Sequence, residues 1–425
     1  MISIGVNEKP ELKKWIPLSF QHVFAMFSST VLVPILTGLP TSSALFTSGV
    51  GTLIYILITK GKVPAYLGSS FAFITPIIMI SQSFGVAYAL GGAFAVGIFY
   101  IIISQIIRFF GYKWIDRVLP PVVIGSVIMV IGLKLAPTAM DMAMTGGTED
   151  YHLSYFLIAA VTLGIAIFAT IFLKGFFTVV PVLIGIIGGY LFTLIMGLFF
   201  PSFHLIDFTA VGKTAWFGLP HFAIPKFGII PIITFLIVSL ATIAEHLGDT
   251  LVMSRVAGKD FYKDPGLHRT LAGDGAATAF ASFFGGPPNT TYGENIGVMA
   301  ITHVYSVWVI GGAAVVATCL SFIHKFGALI QTIPSPVMGG ISMMLFGIIA
   351  SAGIRTVVES GVDYSCKRNL TITSVILVLG IGGGLIQFPI TSSLNFELGG
   401  VALATLVGIV LNLILPQNLN NKEEE

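Results

Sequence analysis

Apolar runs of about twenty residues recur from one end of this chain to the other, and nothing else in the sequence restricts its fold so strongly. A helix that crosses hydrocarbon needs about 20 mostly apolar residues. About fourteen such runs can be marked, separated by Gly, Pro or charged connectors: 16–38, 43–59, 64–80, 86–108, 119–137, 152–173, 176–199, 227–254, 268–285, 289–302, 304–323, 333–354, 369–388 and 397–415. Of the 425 residues 55% are hydrophobic and only 9% are charged, with a mean hydropathy of +0.95. A water-soluble domain needs about 25% charged residues to clothe its surface, so the solvent for most of this chain is a lipid bilayer. The expected fold is an all-α polytopic membrane protein.

Charge adds orientation. The net charge is +2 and the basic residues are scattered through short connectors, which gives no continuous patch for nucleic acid. Thirteen of the 21 Lys and Arg residues fall in even-numbered connectors, four in odd-numbered ones (Lys134, Lys213, Lys226, Lys325) and four in the tails. Positive connectors stay on the cytoplasmic side, so an even number of spans with both termini cytoplasmic is expected. The first fifteen residues lack an apolar core with a small-residue cleavage site and are expected to be a retained tail. Fourteen divides into seven plus seven, and an odd-numbered unit repeated in tandem is inverted relative to its copy. Cys319 and Cys366 have neither CxxC spacing nor a disulfide pattern.

Ionisable groups inside a span cost at least ~2.5 kcal/mol each at the centre of a helix, so those present are functional candidates. The eighth run contains Glu245-His246-Leu247-Gly248-Asp249. The four-residue step puts Glu245 and Asp249 on one helical face and turns His246 away from it. Two carboxylates one turn apart in a low dielectric disfavour double ionisation, the property a proton carrier needs. The plainer alternative is a helix end, where Asp249 would pair with Arg255 six residues on. Gln21 and His22 suit an interhelical hydrogen bond better than a ligand contact. Asn369, Asn395 and Asn412 suit packing, and Gly311-Gly312 and Gly339-Gly340 suit close helix contacts. Lys422 to Glu425 suits a solvated tail.

The third and tenth runs are interrupted by small and β-forming residues, at Gly68-Ser69-Ser70-Phe71-Ala72-Phe73-Ile74-Thr75-Pro76 and Pro288-Asn289-Thr290-Thr291-Tyr292-Gly293-Glu294-Asn295-Ile296-Gly297. Each is third in its half. Paired interruptions at matching positions of two inverted halves point to a midplane binding site, because extended backbone at membrane depth persists only where protein or ligand partners its N–H and C=O groups. Gly293 would let the main chain approach a ligand, Tyr292 would offer an aromatic face, and Glu294 would open the half-helix that follows. Ordinary Gly/Pro kinks between packed helices are the alternative.

These motifs resemble the nucleobase-ascorbate transporter family, most closely its bacterial uracil-transporting branch. The resemblance runs through Gln21-His22-Val23-Phe24-Ala25-Met26-Phe27, Pro64 to Phe73, Ala244 to Gly248, Asp264-Pro265-Gly266-Leu267-His268-Arg269 and Pro288 to Ala300. It implies two inverted seven-span repeats with short strands in the third and tenth segments. It further implies a core domain of two parts (16–108, 227–323), a gate domain of two parts (119–199, 333–415), cytoplasmic tails (1–15, 416–425) and a homodimer. By position, Glu245 and Glu294 would accept hydrogen bonds from uracil N–H groups, and backbone N–H groups near Phe71 and Gly293 would donate to its carbonyls. Tyr292 and Ser29 would flank it with apolar or van der Waals contact.

Where well-known uracil transporters carry histidine one turn after the helix-eight glutamate, this chain has Asp249, as purine-transporting relatives tend to. Glu294 stands where the purine branch has glutamine, which favours uracil. The resulting expectation is proton-coupled import of uracil across the cytoplasmic membrane, with Glu245 and Asp249 sharing the proton and no cofactor. A xanthine or uric acid symporter on the same fold is the alternative, and sodium coupling stays open. A membrane enzyme would be favoured by an Asp-rich metal cluster at a membrane edge, and an ATP-driven pump would need a Gly-rich phosphate loop; the sequence contains neither.

Overall fold

The computed structural model describes residues 3–391 and 394–416. The expected tail beyond Pro416, with Lys422 to Glu425, and the side chain of Asn395 lie outside the described residues. The longer helices are α1 (Leu12–Thr37), α2 (Thr41–Ile58), α3 (Ile74–Phe84), α4 (Val86–Phe110), α5 (Pro121–Lys134), α6 (Ala136–Met144), α7 (Leu153–Phe172), α8 (Pro181–Phe199), α9 (Ile229–Ala257), α10 (Leu267–Phe283), α11 (Gly293–Thr302), α12 (Val307–Ser321), α13 (Ser335–Glu359), α14 (Lys367–Ile381) and α15 (Gly400–Ile414). Strands β1 (Leu67–Ser69) and β2 (Asn289–Thr291) pair with each other, as do β3 (Leu385–Thr391) and β4 (Leu394–Gly399).

Helix ends follow local chemistry. Proline stands in the first turn of α5, α8 and α13, where its missing N–H costs nothing. Gly38 ends α1 at φ 75°, a left-handed cap that a side chain would resist. Among the described residues eight helical stretches are long and apolar enough to cross a membrane, and the exposed face is apolar from Ile98 and Phe109 to Ile195 and Val378. This is a multi-pass membrane protein.

Two packing groups can be traced. In one, α4 lies on α9 and α10, and α2 lies on α10 and α12, with α1 against α12. In the other, α13 lies on α5, α6 and α7, α7 on α8, and α14 on α5 and α15. Small residues permit the closest crossings: a methyl on Gly275 would meet Gly97 O at 2.7 Å, and one on Gly353 would meet Gly125 O at 2.5 Å. Such contacts matter in lipid, where burial of apolar surface does not drive helices together.

Several boundaries differ from the sequence expectation. The run 119–137 is split at Leu135, because Ala136-Pro137 begins a second helix that carries Asp141 inside it. The run 369–388 stops being helical at Ile381; Gly382-Gly383-Gly384 ends it, and Leu385–Thr391 pairs with Leu394–Gly399 as a hairpin. The N-terminal segment docks on the connector before α12: Ile4 bridges to Val304, and the Ser306 hydroxyl donates to Glu8 O at 2.5 Å. Gly312 makes the tight contact expected of it, against Ser19 and Trp15, whereas Gly311 faces only Ile56 at 3.7 Å. Asn412 accepts from buried Arg368 at 2.6 Å and donates to Arg117 O at 2.8 Å.

Candidate functional site

The site is built around β1 and β2, two three-residue strands with every residue buried. They run antiparallel with Leu67 opposite Thr291, Gly68 opposite Thr290 and Ser69 opposite Asn289. The pairing is extended by Ser70 N–H to Pro288 O and Tyr292 N–H to Tyr66 O, both 2.9 Å.

A two-stranded sheet has two open edges, and hydroxyls close them here. Ser48 and Thr52 of α2 donate to Leu67 O at 2.7 and 3.2 Å, and Leu67 N–H donates to Thr52 Oγ1 at 2.9 Å. On the other edge Thr278 of α10 donates to Asn289 O at 2.9 Å, and Asn289 Nδ2 donates to Thr47 O at 3.1 Å. These partners are what allow non-helical backbone at this depth.

Each strand feeds a half-helix. After β1 comes the turn Phe71–Phe73 and then α3; after β2 comes Tyr292 and then α11. The first N–H groups of each helical segment have no intrahelical partner and carry the positive end of its dipole. A Cβ on Gly293 would meet nothing within 4 Å, so the start of α11 faces open space. Glu294 beside it is exposed, and its Oε1 accepts a hydrogen bond from the Ser29 hydroxyl at 2.6 Å.

Helix α9 packs against the Phe71–Phe73 turn, β2 and α11. It brings Glu245 and Asp249, both half-buried, to the same region; these two, Glu294 and Asp274 lie within electrostatic reach of one another. Phe71 is half-buried, with its ring edge-on to Phe346 of α13 at 6.2 Å. The candidate region therefore touches both packing groups.

One expected role changes. Tyr292 offers no free aromatic face: it is 3% exposed, its ring covers Gly68, and its hydroxyl donates to Ser69 O at 3.1 Å while accepting from Thr30 at 3.1 Å. It braces the strand crossing. Ser29 also acts as a hydrogen-bond donor to Glu294 Oε1, a partnership not anticipated from sequence. His22 makes the interhelical contact expected of it, receiving Asn295 Nδ2 at both its Nδ1 (3.0 Å) and its carbonyl (3.1 Å).

Asp274 of α10 was not singled out from sequence. It is 1% exposed, with Oδ2 3.1 Å from Nδ1 of the fully buried His246. On its other side His246 Nε2 lies 3.0 Å from Thr270 Oγ1, whose hydroxyl is also 3.0 Å from Leu267 O. The signal available in the sequence was simply an acidic residue inside an apolar run.

Hydroxyl-sealed strands, the half-helices they feed and convergent carboxylates suit a membrane transporter. A profile of the Permease family matches residues 13–387, and the chain belongs to that family, the nucleobase-ascorbate transporters. It is 52% identical to the uracil permease of Bacillus subtilis (strain 168), over 100% of this chain and 97% of that one. It is 49% identical to the uracil permease of Bacillus caldolyticus, over 97% and 94%. In fold it is similar to the transmembrane domain of the cyanobacterial bicarbonate transporter BicA (TM-score 0.63, 15% identity, 97% of this chain and 100% of that one).

Proposed function

We propose that the protein imports uracil by proton symport across the cytoplasmic membrane. The observation that carries this is the pairing of Glu294, oriented by Ser29, with the start of α11 on one side and Glu245 of α9 on the other. Uracil presents two N–H donors and two carbonyl acceptors around a flat ring. Glu245 and Glu294 accept from the N–H groups, and the unpaired N–H groups near Phe71 and Gly293 donate to the carbonyls. A site that pairs all of these rejects rings lacking them. Full-length identity to two uracil permeases supports the same substrate, and Glu294 disfavours the xanthine alternative.

The two packing groups support a transport cycle of the following kind. Fourteen spans in two inverted repeats of seven form a core (16–108 with 227–323) that carries the strand crossing and a gate (119–199 with 333–415) that carries Phe346. Core and gate slide past one another, moving the site between the two sides while Glu245 and Asp249 carry the proton. Both termini are cytoplasmic and two copies associate as a homodimer. The test is uptake of labelled uracil into proteoliposomes containing only this protein, without sodium and with an inward proton gradient. Accumulation that disappears with a protonophore is expected. Uptake of xanthine but not uracil overturns the substrate assignment, and uptake that needs sodium overturns the proton.

A further inference from the structure

Away from the strand crossing, α1, α2 and α12 enclose an apolar groove of about 780 Å³, a volume on the scale of ligand pockets. Its wall includes Ile16, Phe20, Ile56 and Val315, on helices whose outer faces are apolar, with Leu12 65% and Leu57 79% exposed. Gly311 forms part of the wall and keeps it open, since a Cβ there would meet only Ile56.

The mouth of the groove has a different character. Trp15 and Trp308 stand there edge to face, 6.4 Å apart, and the Trp15 indole donates to Trp308 O at 2.6 Å. Tryptophans of this kind mark the headgroup level of a bilayer. Lys9 sits over both rings, at 5.2 and 5.1 Å. Lys60 and Lys62 line the same end. Lys62 is held by Asp264 at 2.5 Å, while Lys60 has no ion pair among the described residues. Lys60 also occupies a left-handed backbone position, φ 58°, where a lysine is uncommon. An apolar slot opening at headgroup level beneath lysine ammonium groups has the two-part chemistry of an anionic phospholipid.

We propose that this groove is a binding site for an anionic glycerophospholipid, one acyl chain lying between α1, α2 and α12 and the phosphate-bearing headgroup at Lys60 and Lys9. The site is separate from the strand crossing and does not depend on which solute is carried. A basic residue near an anionic headgroup strengthens attraction by about fivefold.

The full-length protein carrying Trp114→Phe and Trp216→Phe keeps only Trp15 and Trp308 as tryptophans, and excitation selective for indole reads those two. Placed in nanodiscs, it is titrated with phosphatidylglycerol or phosphatidylcholine bearing the same dibrominated acyl chains. Half-quenching is expected at a severalfold lower mole fraction of the glycerol lipid. Lys60→Asn, which tolerates the left-handed backbone, should reduce that preference about fivefold. Gly311→Leu, which fills the slot, should abolish the preference and leave only weak quenching. Coincident curves for the two lipids, or a preference unchanged in either variant, overturns the proposal.

Discussion

Gly68→Ala tests whether the strand crossing sets the geometry of the site. A methyl group at Gly68 would lie 2.5 Å from two ring carbons of Tyr292 and 2.6 Å from its hydroxyl. Carbon atoms pack at about 3.5 Å or more, so the ring has to retreat by about 1 Å. It is not free to do so: its hydroxyl is bonded to Ser69 O and Thr30, and Tyr292 N–H is bonded to Tyr66 O. The strain therefore passes to the next residues, Gly293 and Glu294. Overpacking of this kind costs about 1–3 kcal/mol, roughly a 5- to 150-fold loss. Uracil binding to the purified protein by calorimetry should weaken by that factor, with a parallel fall in unfolding temperature. In a Tyr292→Ala background the added methyl has room, so the same substitution should cost little there, a coupling that a double-mutant cycle reads directly. A binding constant within twofold of the parent, or an equal loss in both backgrounds, would refute the proposed coupling between strand and site.

Other substitutions separate the roles of the carboxylates. Glu245→Gln should abolish uracil accumulation in proteoliposomes, whereas Asp249→Asn should retain binding and lose the dependence of uptake on external pH; unchanged pH dependence would remove Asp249 from coupling. Glu294→Gln deletes a charge-assisted acceptor worth about 1.5–3 kcal/mol, so uracil affinity should fall by about tenfold or more, and unchanged affinity would sink recognition by two carboxylates. Asp274→Ala leaves His246 Nδ1 buried without its partner and should cost about 1–3 kcal/mol of stability. Asp274→Asn, which keeps polar atoms beside Nδ1, should cost less; equal falls in unfolding temperature would show that the contact with His246 is not what matters.

Much of the helical layout was legible because apolar runs of spanning length are a direct consequence of the solvent. The interrupted segments were legible too: Gly68-Ser69-Ser70 and Asn289-Thr290-Thr291 fit poorly in a lipid-facing helix, and they pair with each other. What escaped the sequence was non-local. Ser29 reaches Glu294 across 265 positions, and no local pattern marks Ser48, Thr52 and Thr278 as the groups that seal the strand edges. Asp274 was hidden between Gly273 and Gly275 in a helix of small residues, where it looked like part of a weakly apolar stretch. The β3–β4 hairpin was missed because a short apolar run has the same composition in either conformation; the three glycines from Gly382 to Gly384 were the available warning.

In the proposed reading the side chains, and not the scaffold, set the substrate. The two strands are antiparallel, so the half-helices they feed leave in opposite directions with their N-termini turned toward the crossing. That arrangement alone offers positive dipole ends from two sides, which suits an anion. A scaffold does not fix a function. In this chain Glu294 stands at the start of one half-helix and Glu245 on the helix packed against both. Their charge opposes the entry of a second anion, and their oxygens add acceptors beside the N–H donors of the half-helices. Donors and acceptors then stand together around one space, the pattern that complements a neutral ring with both N–H and C=O on its edge. In the proposed reading a crossing that would favour an anion when bare is turned toward uracil by the two carboxylates.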